Sequence, residues 1–156
     1  MTLTTDAILK TKLCIGNPTL LPLPDKTWLT ITTDAKTSPD LLIKNYDDGF
    51  ITKSIPDSSI SEVNIELNTP NYTTDWVVFM NKIWHASTPN ATINLICTNL
   101  DTIDGFDNMF MIRVYDEKEI NHVDNFIDNH DIPQFKIIST TPIPKTNKVQ
   151  ITLQVI

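Results

Sequence analysis

The sequence predicts an α+β domain: a mixed or antiparallel sheet with two helices on one face, built on a ferredoxin-like βαββαβ core from about residue 60 and preceded by an N-terminal β-rich segment. Three observations lead there. After residue 60, alternating and helix-spaced apolar patterns follow one another as strand, helix, strand, strand, helix, strand, the order of the split βαβ motif. Before it, short apolar runs are broken by proline and show no helical stripe. The 156 residues, 40% apolar and 20% charged, suit one domain with its own core and exclude a disordered or low-complexity chain. We therefore expect a single domain over 1–156, with 1–59 as N-terminal strands and hairpin and 60–156 as the α+β core.

In the first part, Trp28, Thr30 and Thr32 alternate with Leu29 and Ile31, the period of a half-buried strand. The runs Leu41 to Tyr46 and Phe50 to Lys53 flank Asp47-Asp48-Gly49, and an Asp-Gly pair supplies the positive φ of a hairpin turn. Pro39 and Pro56 bracket this hairpin and mark it as an edge element.

From residue 60, Val63, Ile65 and Leu67 alternate with Glu62, Asn64 and Glu66, which predicts a strand with one solvated face. Thr74 is a helix N-cap with Asp75 at the positive end of the dipole. Trp76, Val77, Met80, Ile83 and Trp84 then form a stripe at helical spacing that should stop before Pro89. Thr92 to Cys97 and Met109 to Tyr115 read as strands. Asp116 and Glu119 make a capping-box-like start to a second helix, with Ile120, Val123, Phe126 and Ile127 on one side and Pro133 beyond its end. Gln134 to Ser139 and Lys148 to Ile156 close the chain through Pro142 and Pro144.

Charge excludes several functions. Nineteen acids against twelve bases give a net charge of −7, and Arg113 is the single arginine. Guanidinium forks are the usual grip on phosphate, so nucleic acid is not an expected partner. The strand 109–115 lacks the glycine-aromatic pattern of RNA-recognition modules. Met1 to Asp6 shows no signal-peptide character and the longest strictly apolar run, Trp76 to Met80, is far too short for a bilayer span. Cys14 and Cys97 lie among apolar neighbours and read as buried free thiols.

No arrangement of reactive residues rises above background. His122 and His130 stand eight apart without a His-Glu-x-x-His pattern, His85 reads as a dipole partner at a helix C-terminus, and Asp101, Asp104 and Asp107 around Gly105 miss the register of a calcium loop. Only three glycines occur, too few for a phosphate-cradling loop. Catalytic, cofactor and metal residues are accordingly expected to be none.

What remains is charge placement. Residues 116–131 carry six acids against Lys118, and Asp116, Glu117, Glu119, Asp124, Asp128 and Asp131 are the candidate partner-binding residues. The strands Trp28 to Thr33 and Lys148 to Ile156 look like edges open to pairing with another chain. Abundant Asn, Ile and Thr with scarce Gly and Arg add an association with bacteriophage coding. By elimination, the expected function is a non-enzymatic, bacteriophage-like structural or accessory protein, located in the virion or host cytoplasm. It would work through protein contacts with itself or other virion proteins. The alternatives are a small acidic anti-defence inhibitor on a basic host site, and an enzyme whose site is not visible in the linear sequence.

Overall fold

The computed structural model describes residues 3–44, 55–67, 76–98, 113–116 and 134–156. A turn of helix, α1 (Thr5–Ile8), opens them, capped by the Thr4 hydroxyl, which accepts from the Ala7 N–H at 3.2 Å. Then come β1 (Lys12–Gly16), β2 (Trp28–Thr32), a 3₁₀ turn (Ala35–Thr37), β3 (Leu41–Leu42) and β4 (Ile60–Glu66). They are followed by α2 (Trp76–Ala86), β5 (Ser87–Thr98), β6 (Arg113–Asp116), β7 (Gln134–Pro142) and β8 (Lys148–Val155).

All eight strands form one sheet in the order β3-β2-β1-β4-β5-β8-β7-β6. The ladders from β3 to β5 are parallel, β8 is antiparallel to both β5 and β7, and β6 is parallel to β7. Seven strands therefore point one way and β8 alone opposes them. A row of buried side chains crosses the sheet: Leu13 is in register with Leu29 and Val63, Val63 with Ile93, and Ile93 with Leu153. Each of these is 0–1% exposed, and Met80 and Ile83 of α2 join them in one core. On alternate positions a polar row crosses β4, β5 and β8. Asn94 Nδ2 donates to Asn64 Oδ1 at 3.0 Å, and Thr152 Oγ1 donates to Asn94 Oδ1 at 2.9 Å. Such pairing keeps a buried amide from costing its desolvation.

The mixed sheet with few helices agrees with the expected α+β class and corrects its ferredoxin-like core. In that motif the strands flanking the first helix are not neighbours, whereas β4 and β5 pair directly in parallel across α2. The N-terminal strands are likewise no appendage, because β1 is central and β2 lies between β1 and β3. The sequence reading missed β1 because Leu13, Cys14 and Ile15 are all buried; a parallel strand covered on both faces shows no alternation. Leu41–Leu42 does lie at an edge, but it pairs with β2 in parallel. The Asp47-Asp48-Gly49 turn and the Thr74 cap lie outside the described residues.

The expected edges are corrected too. Both β2 and β8 are interior strands, and among the described residues the sheet ends in β3, of two residues, and β6, of four. A strand with neighbours on both sides has no free edge to offer another chain, which removes the geometric argument that β2 and β8 gave for an assembly subunit. Among the described residues no helix is long and apolar enough to cross a membrane.

Phe135, fully buried, is in register with Val114 and Val155 and belongs with residues of β7 and β8 to the common core. Phe135→Ala should cost about 3–5 kcal/mol, the usual cost of emptying a buried aromatic site, read as a lowered urea midpoint with an unchanged slope.

Candidate functional site

The strand order places a crevice. From β1 the chain steps outward to β2 and β3, then returns to lay β4 on the other side of β1. Connections leaving the carboxyl ends of β1 and β4 thus diverge, and in open α/β sheets ligands bind at this switch point. Gly16, the last residue of β1, is in register with Glu66, the last of β4. Gly16 has φ +96°, and a Cβ there would run into the Glu66 carbonyl oxygen. The glycine is required twice, by conformation and by the approach of β4.

Beyond Gly16 the chain turns through Asn17 and Pro18 and crosses the edge as a strap to Pro24. Glu66 holds it. The carboxylate is 1% exposed and accepts from the Thr19 N–H at 2.6 Å, the Thr19 hydroxyl at 2.7 Å, the Leu20 N–H at 3.0 Å and the Leu21 N–H at 2.8 Å. Three successive amides aimed at one anion make a nest, here filled by the protein's own side chain. Burial alone would raise the Glu66 pKa, but hydrogen bonds from Leu21, Thr19 and Leu20 outweigh it and hold the carboxyl below its ordinary 4.5.

Under the strap lies a cavity of about 260 Å³ lined by Gly16, Asn17, Pro18, Leu23, Pro24, Thr30, Thr32 and Thr37. No lysine or arginine is among these residues. Asp34 follows β2 directly, eighteen residues after Gly16, half-buried, with Oδ1 accepting from the Lys36 N–H at 2.9 Å. Its carbonyl and the Thr37 hydroxyl tie it to Thr32 on the cavity wall. An acid just past the second strand is where dinucleotide folds hold a ribose. Cys14, two residues before Gly16, is a buried free thiol whose pKa rises to about 11, through burial first and the Glu66 charge second. It is no nucleophile at neutral pH.

The residues singled out from sequence do not gather here. His85 is exposed at the end of α2, and Asp116 ends β6 at the far side of the sheet. Glu117, Glu119, Asp124, Asp128 and Asp131, with His122, His130 and the loop around Gly105, lie outside the described residues. Among the described residues no group of three His, Cys, Asp or Glu side chains is placed to hold a metal ion. Sequence reasoning missed Gly16, Asp34 and Glu66. The spacing of a glycine after an apolar run and an acid eighteen residues on was a usable signal. Glu66 carried none, since its alternation reads as a solvated face.

No family model matches the sequence, and no curated protein matches it. Solved structures do. The W203A mutant of the 16S rRNA (adenine(1408)-N(1))-methyltransferase from Catenulisporales acidiphilia aligns over 97% of this chain and 89% of its own, with TM-score 0.50 and 8% identity. The aminoglycoside resistance methyltransferase NpmB1 aligns over 100% and 95%, with TM-score 0.42 and 9% identity. The class that the first likeness defines is one of fold: the methyltransferase-like α/β sheet.

That likeness corrects the expectations of a non-enzymatic, bacteriophage-like structural protein with virion partners and of no nucleic-acid partner. The likeness is to enzymes named for acting on ribosomal RNA. The elimination behind those expectations searched for linear motifs, whereas this site is assembled from the ends of separate strands. An enzyme with a site unseen in sequence is the alternative it favours.

Two outcomes follow from the Glu66 geometry. Its folded pKa lies below the unfolded value, so its stabilisation is complete above about pH 4.5 and fades as pH falls through the folded value. Glu66→Gln should cost about 1.5–3 kcal/mol at neutral pH, the range for hydrogen bonds to a charged group, and flatten acid unfolding in that window. In a Cys97→Ser background, Cys14 should react with a thiol reagent only on unfolding; rapid labelling of the native chain would contradict the burial described.

Proposed function

We propose that the chain is a methyltransferase that binds the nucleoside part of S-adenosylmethionine in the carboxyl-edge cavity. The carrying observation is the chemistry of that cavity, at the switch point of a sheet with seven strands one way and one opposed. Two ligand classes commonly use this position, phosphate-bearing nucleotides and adenosyl cofactors. The first needs a glycine-rich cradle or cations. Here the nest amides are taken by Glu66 and the lining carries no base. A sulfonium cofactor brings positive charge instead, which the carboxylates nearby and a net charge of −7 favour.

The donor set fits this group. Asp34, beside the cavity and tied to its wall through Thr32 and Thr37, would take the ribose hydroxyls, Leu23 and Pro24 would cover the base, and Thr32 and Thr37 would supply hydroxyls. When bound, the cofactor supplies a methyl carbon already activated by its sulfonium. At about 260 Å³ the cavity is just below the roughly 300–1,000 Å³ of small-molecule sites, a size for the nucleoside part.

The acceptor proposed is RNA, as the names of the solved relatives have it. With a net charge of −7 and no lysine or arginine lining the cavity, few phosphates should be neutralised at once, so binding should weaken only gently with salt, with a log–log slope shallower than about −3.

Calorimetry should show saturable binding of S-adenosylmethionine and none of ATP or NAD. Asp34→Asn, which keeps the Lys36 cap, should weaken it about tenfold, or about 1.4 kcal/mol. Transfer of a labelled methyl group to small-subunit ribosomal RNA tests the acceptor. Preference for ATP or NAD, or no response to S-adenosylmethionine at millimolar concentration, would overturn the proposal.

A further inference from the structure

A second cavity, of about 280 Å³, opens at the other edge of the sheet, where β4 and β5 begin, among Asp57, Ser58, Trp84, His85 and Pro89. Like the carboxyl-edge cavity it has no lysine or arginine among the described residues of its walls. The carboxyl-edge cavity goes one step further, because its hydrogen-bond donors are already committed.

The strap shows this residue by residue. Of residues 17–24, Pro18, Pro22 and Pro24 have no backbone N–H to give. Thr19, Leu20 and Leu21 give theirs to the Glu66 carboxylate at 2.6, 3.0 and 2.8 Å. Only Asn17 and Leu23 fall outside these two groups. The sheet side is similar. A threonine hydroxyl has one proton, and each hydroxyl of the lining has a protein acceptor for it. Thr32 and Thr37 lie 2.8 Å from each other and 3.0 and 2.7 Å from the Asp34 carbonyl, so both protons stay within the protein. Thr30 Oγ1 reaches Asp40 Oδ2 at 3.5 Å while accepting from the Asp40 N–H at 2.9 Å. What these hydroxyls have left for a ligand is acceptor capacity. Lys36, the base nearest Asp34 in sequence, is exposed and outside the lining.

A carboxylate is the group such a wall serves worst, since out of bulk water it needs donors or a cation. It would also meet two charges of its own sign, on half-buried Asp34 and on Glu66 behind Gly16 and the strap. The Glu66 charge is felt across this end of β1, where it adds to burial in raising the Cys14 pKa to about 11. S-adenosylmethionine brings donors on its ribose and amino groups and positive charge on its sulfonium and ammonium, but also one carboxylate. We infer that the cavity selects adenosyl ligands whose sulfur side chain carries no carboxylate. Glu66 is the specificity-determining residue, because it occupies the amides that would hold that group. This selectivity rests on the adenosyl reading of the cavity.

It is tested by calorimetric titration of the full chain with S-adenosylmethionine, its decarboxylated form, S-adenosylhomocysteine and methylthioadenosine. The decarboxylated form should bind about tenfold tighter than S-adenosylmethionine, or more. The last two ligands both have no net charge, which removes the general attraction of an acidic chain for a cation. Methylthioadenosine, although smaller, should bind at least as tightly as S-adenosylhomocysteine. In Glu66→Gln, with its fold checked by circular dichroism, the preference for the decarboxylated form should shrink to about threefold or less. The wild-type comparison stands whether or not that variant folds. If S-adenosylmethionine binds as tightly as its decarboxylated form, or S-adenosylhomocysteine more tightly than methylthioadenosine, the selectivity is overturned and the proposed function stands. A full preference in folded Glu66→Gln overturns the role of Glu66. Failure of all these ligands to bind at millimolar concentration overturns selectivity and proposed function together.

Discussion

A carboxyl buried at the end of β4 must either keep its charge by being paired or give it up by taking a proton. Glu66 is almost wholly buried, and the amides of Thr19, Leu20 and Leu21 are what hold it. The rest of the carboxyl edge depends on that contact. The strap takes its path because its N–H groups must reach one anion, and the cavity takes its shape because Leu23 and Pro24 follow on the same strap. Gly16 belongs to the same constraint. Only a residue without Cβ lets β1 end against the Glu66 carbonyl and turn into the strap at positive φ.

The contact also has an electrostatic consequence. Folds of this layout commonly offer their first loop to a ligand's phosphate. In this chain the equivalent amides already face a full negative charge, so a phosphate would have to displace Glu66 and then sit beside it. The field at the edge instead favours neutral or cationic groups. The same charge, added to burial, holds Cys14 in its thiol form. One residue thus sets which ligands are repelled and which neighbour is chemically silent.

Much of the secondary structure was legible where one face is buried. Trp28 to Thr32, Ile60 to Glu66, the α2 stripe and the two closing strands all carry alternation or helical spacing that the structure repeats. The direction of pairing was not. Alternation says which face of a strand is apolar, and that is the same for parallel and antiparallel ladders. The central strand β1 was hidden because both its faces are covered. At the site, Glu66 shared a pattern with Glu62 and Asn64, yet Asn64 and Glu66 are buried by partners far away in sequence. Pairing of that kind is tertiary and leaves no local trace.

The two cavities share a property that composition already held. Neither is lined by lysine or arginine, and the chain has a single arginine and a net charge of −7. Read as a surface property, that balance argued against phosphate-rich partners and so against nucleic acid altogether. Read at the cavities, it says something narrower: neither lining offers a cation to a phosphate. An acidic chain can still handle a nucleic acid if recognition rests on a base and its edge while the backbone stays in solvent. Phosphate contacts add affinity and base contacts add specificity, and a cavity without a cation is suited only to the second.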